Sequence, residues 1–391
     1  MTQPVDRPTA PATPSPHSPR PPRLLHVDNL RTALTALVVI HHSVIAYSNV
    51  PRWYYTEPPA DPSGTLLDLV LVLNQAFFMG AFFLISALFV PGSYDRKGTG
   101  RFLKERLLRL GVPLLLWLLV LRPLATAGRY TAARDSALQQ GTELPYWQFY
   151  LRSFTPGPMW FVEVLLVFSA LYVLWRHLAV KDRHASEPAP AAGRAPGAVA
   201  IVGFTVGLAL VTYLWRIVVP MGVSILGLPT PAYLPQYVAL FTVGLIAARR
   251  GRLEGLSGTA GRVGFAVAAV AAVALLLVLI STGEAILGGG TLPSLMAAAC
   301  ESALAVGVIL GLLVLFRERF GHQGRRRRFL SAHAYTVYVV HPVVLVALGH
   351  ALRDVQAPAV AKGALLAALA LPLCWATAYL VRALPGARKV L

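Results

Sequence analysis

Residues 26–43 read HVDNLRTALTALVVIHHS, an apolar helical stretch with charge at one end and paired imidazoles at the other. Arg31 and His42 are eleven steps apart. At about 100° per residue the second returns to within roughly 20° of the first, so both side chains share one helix face. Along the axis they are separated by about 16 Å. That spacing predicts a guanidinium near one membrane surface and an imidazole near mid-bilayer. Ionisable groups are costly at such depth, so a pair on one face points to a polar, protein-enclosed cavity rather than to lipid contact. Thr35 extends the stripe. His41 points about 100° away from it and reads as a hydrogen-bonded structural group.

Working outward, the chain has 391 residues, of which 56% are hydrophobic and 13% charged, and its mean hydropathy is +0.60. A soluble domain carries about 25% charged residues, so this composition predicts an all-α, polytopic transmembrane helical bundle. About ten spans are expected, near 27–48, 66–90, 103–126, 158–178, 198–219, 233–249, 262–282, 292–316, 330–351 and 359–382. The formal charge of +18 does not indicate nucleic acid, because the basic residues sit in alternate short loops. About 26 of the 35 Lys and Arg fall on the side carrying both termini and about 8 on the other. The positive-inside rule then places both termini in the cytoplasm of a multi-pass cell-membrane protein, with Arg325–Arg328 as its strongest anchor. Residues 1–23, rich in Pro and lacking an apolar core, predict a disordered cytoplasmic tail, and 24–391 a single membrane domain. Cys300 and Cys374 lie in apolar runs and predict no disulfide. Trp53, Tyr54 and Tyr55 are expected at the outer interface, and residues 127 to 157 as the long outer loop that covers a site.

Several further polar residues require a reason to lie in a membrane. Tyr338 and His341, three apart in span nine, are helix neighbours, and Pro342 loosens the backbone ladder beside them. A packing kink with a hydrogen-bonded His explains them as well as a functional pair does. Arg106 and Arg109 face one way at the start of span three, a geometry that suits phosphate or pyrophosphate, although snorkelling charges look similar. Glu163 and Glu301 each need a cation or donor, and Arg122 and Arg216 are the available counter-charges. Glu163 lies beside Trp160, whose indole could platform a sugar ring.

Taken in series, these residues resemble the integral-membrane acyltransferase 3 family. Its Arg, ten residues, then His is matched by Arg31 and His42. Its FF-x-x-SG segment is matched by Phe82, Phe83 and Ser86, with Ala87 in place of the usual Gly. Its Arg-x-x-Arg before a Pro is matched by Arg106, Arg109 and Pro113. Trp160-Phe161 and the late Tyr338 and His341 match as well. The wording of the first span and of residues 93–113 looks closest to the branch labelled glucan-biosynthesis-like. The resemblance implies an O-acyltransferase whose donor is an acyl-CoA, commonly acetyl-CoA, and whose acceptor is a hydroxyl on a glycan or other exported molecule.

Residues and resemblance together give one expectation. Acyl-CoA is a substrate, with no permanently bound cofactor, and its phosphates bind near Arg106, Arg109 and Arg31. The catalytic candidates are His42, Arg31, His341 and Tyr338: His42 takes the acceptor's proton or carries the acyl group, and Tyr338 or His341 donates to the oxyanion. Trp160, Glu163 and Arg216 are the candidate acceptor-binding residues. No metal site is expected, since His41 and His42 point apart. The rival reading is a transporter or flippase for a polar or lipid-linked solute, in which the same groups line a route or relay protons.

Overall fold

The computed structural model describes residues 24–50, 52–179, 195–225, 227–251 and 255–391; the expected tail at 1–23 lies outside these. It is 80% helical, with no strand among the described residues. The first helix, α1 (Leu25–Ile45), is followed by non-helical residues at 46–50 and 52–63. Next come α2 (Gly64–Gln75) and α3 (Phe78–Ala87), which cross together, and α4 (Val90–Arg106). A third crossing is built from α5 (Val112–Leu116) and α6 (Arg122–Gln139), preceded by π turns at Leu107–Gly111 and Trp117–Leu121. Then follow α7 (Tyr146–Arg152), α8 (Trp160–Ala179), α9 (Ala198–Val218), α10 (Leu234–Arg250), α11 (Gly258–Thr282), α12 (Leu292–Arg319), α13 (Arg325–Ala351), α14 (Ala359–Ala383) and the short α15 (Ala387–Val390).

Nine helical segments among the described residues are long and apolar enough to cross a membrane. The polar α1 does not itself meet that measure. It packs against α13, α14 and α12 as a tenth member of the bundle, which buries its Asp28, Asn29, Thr35, His41 and Ser43. Val199, Val270, Leu277 and Ile280 are strongly exposed on α9 and α11, a surface that only lipid would tolerate. The crossing expected at 103–126 continues as helix to Gln139, because the Ala-rich TAARDSALQ has strong helix formers. The stretch expected to be a long outer loop is therefore mostly α6 and α7.

Two contacts set the frame around the first helix. At its start, Asn29 donates to the carbonyls of Phe320 (2.7 Å) and His322 (3.2 Å) in the α12–α13 turn. Beyond its end, Asp61 accepts the Ala359 amide at 2.8 Å and so caps α14. The substitution at Ala87 is accommodated from the other side of the α3–α10 contact. Gly244 faces it, and a Cβ on Gly244 would run into the Leu84 carbonyl and the Ala87 methyl.

A paired-imidazole candidate active site

α1 is unbroken from Leu25 to Ile45, so Arg31 and His42 do occupy one continuous helix. Arg31 forms an ion pair with Asp28 at 2.9 Å and keeps 38% of its side chain exposed. Thr35, buried, returns its hydroxyl to the Arg31 carbonyl at 2.9 Å. His42 lies in the last turn of α1 but not at the rim of the bundle. The chain beyond α1 folds back as non-helical backbone between α1 and α13, which membrane depth tolerates only inside protein. Tyr55 of this segment packs beside Gly349 and His350, near the end of α13, while Trp53 packs beside His341, well inside it.

His42 and His341 are brought together. His341 Nε2 lies 3.2 Å from His42 Nδ1, and the ring centroids are 4.9 Å apart. The chain explains the arrangement locally. Pro342 has no amide hydrogen to give the carbonyl four residues back, which is that of Tyr338. His341 Nδ1 occupies that freed acceptor at 2.7 Å. Since a carbonyl can only accept, His341 carries its proton on Nδ1 and presents a lone pair on Nε2 when neutral. His42 Nδ1 faces that lone pair and, at 3.0 Å, the Val38 carbonyl, so it too must be the protonated nitrogen. The lone pair of neutral His42 is thereby fixed on Nε2, which has no hydrogen-bond partner among the described residues.

Trp53 completes the setting, and the sequence reading misplaced it. Rather than sitting at the outer interface, it is 7% exposed and stacks on His42 at 4.1 Å with the planes 23° apart. Nothing in its local sequence distinguishes it from an interfacial tryptophan; only its packing on His42 and His341 does. His41 bonds Asn74 at 3.0 Å and stacks on Phe78, away from this pair.

The remaining candidates are distributed around the site. The Tyr338 hydroxyl donates to the Pro158 carbonyl, fixing the entrance to α8, whose first turn holds Trp160 and Glu163. The Trp160 ring packs with Tyr237 and Phe83 and is mostly buried. Glu163 is half-buried and has no hydrogen bond or ion pair among the described residues. Arg216 pairs with Glu301 at 2.6 Å, and Tyr233 donates to the same carboxylate at 3.0 Å. Of the two arginines expected as counter-charges, only Arg216 serves; Arg122 pairs with neither acid. No hydrogen bond, ion pair or ring contact joins Trp160, Glu163 or Arg216 to the two imidazoles. Arg106 and Arg109 stand at the Arg-rich end. The Arg109 carbonyl accepts from Tyr335 at 2.7 Å, so α13 contacts both this basic pair and His42. A groove of about 470 Å³ runs beside α1, lined by Asn29, Thr32, Ala36 and Arg327; Arg31 and His42 do not line it.

With that geometry in view, the family match is informative. Residues 24–379 match the family described as an acyltransferase domain, acyltransferase 3. The chain belongs to the acyltransferase 3 family. No curated protein and no solved structure matches it. This acyltransferase 3 member is thus a polytopic membrane acyltransferase, an enzyme that transfers groups other than aminoacyl groups. The match is to the family as a whole and does not distinguish its branches.

Proposed function

We propose that the protein is a cell-membrane O-acyltransferase that moves an acyl group, acetyl in the simplest case, from cytoplasmic acyl-CoA to a hydroxyl of a glycan or other exported molecule. The observation that carries this reading is the hydrogen-bond series from His42 Nδ1 through His341 to the Tyr338 carbonyl, which leaves His42 Nε2 as an unengaged base. The acceptor oxygen attacks the thioester carbonyl carbon while its proton passes to Nε2. The tetrahedral intermediate collapses, the carbon–sulfur bond breaks, and His42 returns the proton to the departing thiolate. The products are the ester and free CoA.

Each neighbour has a part in this step. When His42 becomes an imidazolium, its Nδ1–H still points at the His341 lone pair, so the new charge keeps its acceptors. Trp53 offers its face to the same cation. Tyr338 acts as a positioning residue, because its hydroxyl is committed to Pro158 and its carbonyl to His341. Arg106, Arg109 and Arg31 suit the phosphates of CoA at the Arg-rich end, which the positive-inside rule assigns to the cytoplasm. Trp160 and Glu163, set by the Tyr338–Pro158 contact, belong to the acceptor side. Arg216 takes a structural part with Glu301.

The test is thiol release from acetyl-CoA by purified protein, with His42→Ala as the control. Wild type should release CoA in the presence of acceptor, and His42→Ala should lose transfer while keeping its CoA binding. Full transfer by His42→Ala would end this mechanism, and solute movement without CoA would favour transport instead.

A further inference from the structure

Two arginines are almost wholly buried, and they are treated in opposite ways. Arg216 has a carboxylate at 2.6 Å. Arg122, 1% exposed, has no ion pair among the described residues. Its Nη2 donates to the Ser153 carbonyl and, at 3.2 Å, to the Ser153 hydroxyl, and its guanidinium lies over the Tyr150 ring at 4.2 Å. Its Nε and Nη1 are buried without a partner. A carbonyl and an aromatic face ease a buried cation but do not replace a counter-charge.

The backbone goes out of its way to bury this group. The buried positions of the third crossing run Leu110, Pro113, Trp117, Arg122, Ala125 and Thr126. The step of five from Trp117 to Arg122 coincides with the π turn at Trp117–Leu121, which brings both onto one face. Pro123 follows at once and denies the Leu119 carbonyl its amide partner, a local reason for the wider turn. Single π turns of this kind recur at functional sites.

Ring contacts link His42 through Trp53 and Tyr54 to Trp117, which shares the buried face of Arg122. Trp53 Nε1 and Trp117 Nε1 are both buried without a partner. The Tyr54 ring packs with both, 5.2 Å from Trp53 and 5.7 Å from Trp117. Its hydroxyl is likewise buried without a partner. It also rests against Gly157, where any Cβ would strike it. Trp53 is the ring that stacks on His42. The series therefore contains two unmatched N–H groups and a guanidinium, with no carboxylate to satisfy them. What such a series lacks is an oxyanion.

We propose that Arg122, with the indoles of Trp53 and Trp117, binds an oxyanion carried by the acyl acceptor, a carboxylate or a phosphate, and so presents the acceptor's hydroxyl to His42. This rests on the reading of His42 as the base for acyl transfer, and it deepens that reading by naming an acidic acceptor class. Arg129, exposed two turns further along α6, marks the same path with positive charge at its outer end.

The experiment uses the full chain in detergent and four probes: phenyl β-D-glucuronide, glucose 6-phosphate, phenyl β-D-glucoside and glucose. Binding is read by thermal shift and tryptophan fluorescence. Wild type should bind at least one acidic probe at least tenfold more tightly than its neutral match, and which one separates carboxylate from phosphate. Arg122→Gln should remove that preference; Arg122→Lys should keep the preference but weaken acidic binding several-fold, since it loses the planar fork. If Arg122→Gln cannot be recovered folded, wild type and Arg122→Lys decide alone. Equal binding of acidic and neutral probes, no binding by any probe, or wild-type affinity in the recovered Arg122 variants would overturn the proposal. His42→Ala separates the two readings: it should bind the acidic probes as wild type does yet transfer no acyl group. Transfer by His42→Ala would sink the general-base mechanism without touching the anion site.

Discussion

Replacing His341 tests the tautomer argument most directly, because Phe and Gln separate its shape from its chemistry. His341→Phe fills the buried space but offers no acceptor to His42 Nδ1; His341→Gln can place a carbonyl oxygen near the lost Nε2. In the wild type, Nδ1–H of His42 is shared between His341 Nε2 at 3.2 Å and the Val38 carbonyl at 3.0 Å. A hydrogen bond to a charged group contributes about 1.5–3 kcal/mol. Since Val38 remains, His341→Phe removes roughly the weaker share once His42 is protonated, on the order of 1–2 kcal/mol. At about 1.4 kcal/mol per decade that is a 5- to 30-fold fall in kcat. His341→Gln should recover most of it. Thiol release at saturating acetyl-CoA measures kcat, and a melting curve on each variant controls for folding. Equal rates for Phe and Gln, or a loss confined to KM, would refute the idea that His341 acts by accepting from His42.

Two further outcomes follow from groups away from the imidazoles. Glu301→Gln leaves Arg216 buried without its counter-charge and should destabilise the bundle by about 3–5 kcal/mol, with Arg216→Met in the same chain restoring much of the loss; a thermal melt in detergent checks both, and an unshifted Glu301→Gln curve contradicts the pairing. Asp61 is a loop carboxylate whose pKa is held below the usual range by the Ser63 hydroxyl and the Ala359 and Ser63 amides. Its folded value is the depressed one, so its contribution is present above the unfolded carboxylate value near ~4 and fades as pH falls through the folded value. Asp61→Asn should therefore lower the melting temperature at pH 7 and narrow the gap from wild type at about pH 3; a gap that widens in acid reverses the assignment.

Much of the architecture was legible because membranes leave few options. Long apolar runs, punctuated by Pro and Gly, locate the crossings, and the Arg31–His42 spacing places two groups on one helix without any tertiary knowledge. The meeting of His42 with His341 was not legible, since residues 299 apart in sequence have no periodicity to relate them. The role of Pro342 was half legible: a missing amide can be read from sequence, but not which side chain will take the freed carbonyl. Trp53 and Arg122 were read by their ordinary roles, an interfacial ring and a counter-charge. Both readings failed for one reason. Local sequence does not encode that Trp53 returns into the bundle, or that a π turn shifts the buried face by one residue.

The position of His341 along α13 suggests why such a site needs a long-armed donor. His341 lies sixteen residues beyond Arg325 and ten before Ala351, or about 24 Å from the Arg-rich end and about 15 Å from the other. Neither substrate can place its charged portion at the base and keep it solvated. A donor arriving from the Arg-rich end must leave its phosphates at the guanidiniums and send only an uncharged arm inward, which is the shape of an acyl thioester on CoA. On the proposed reading, an acceptor from the opposite end would have the shorter path and, with Arg122 and Trp117 along it, would bring a charge part of the way. On that reading, the division between a basic rim on one side and a buried donor series on the other would let one imidazole pair serve two substrates arriving from opposite ends.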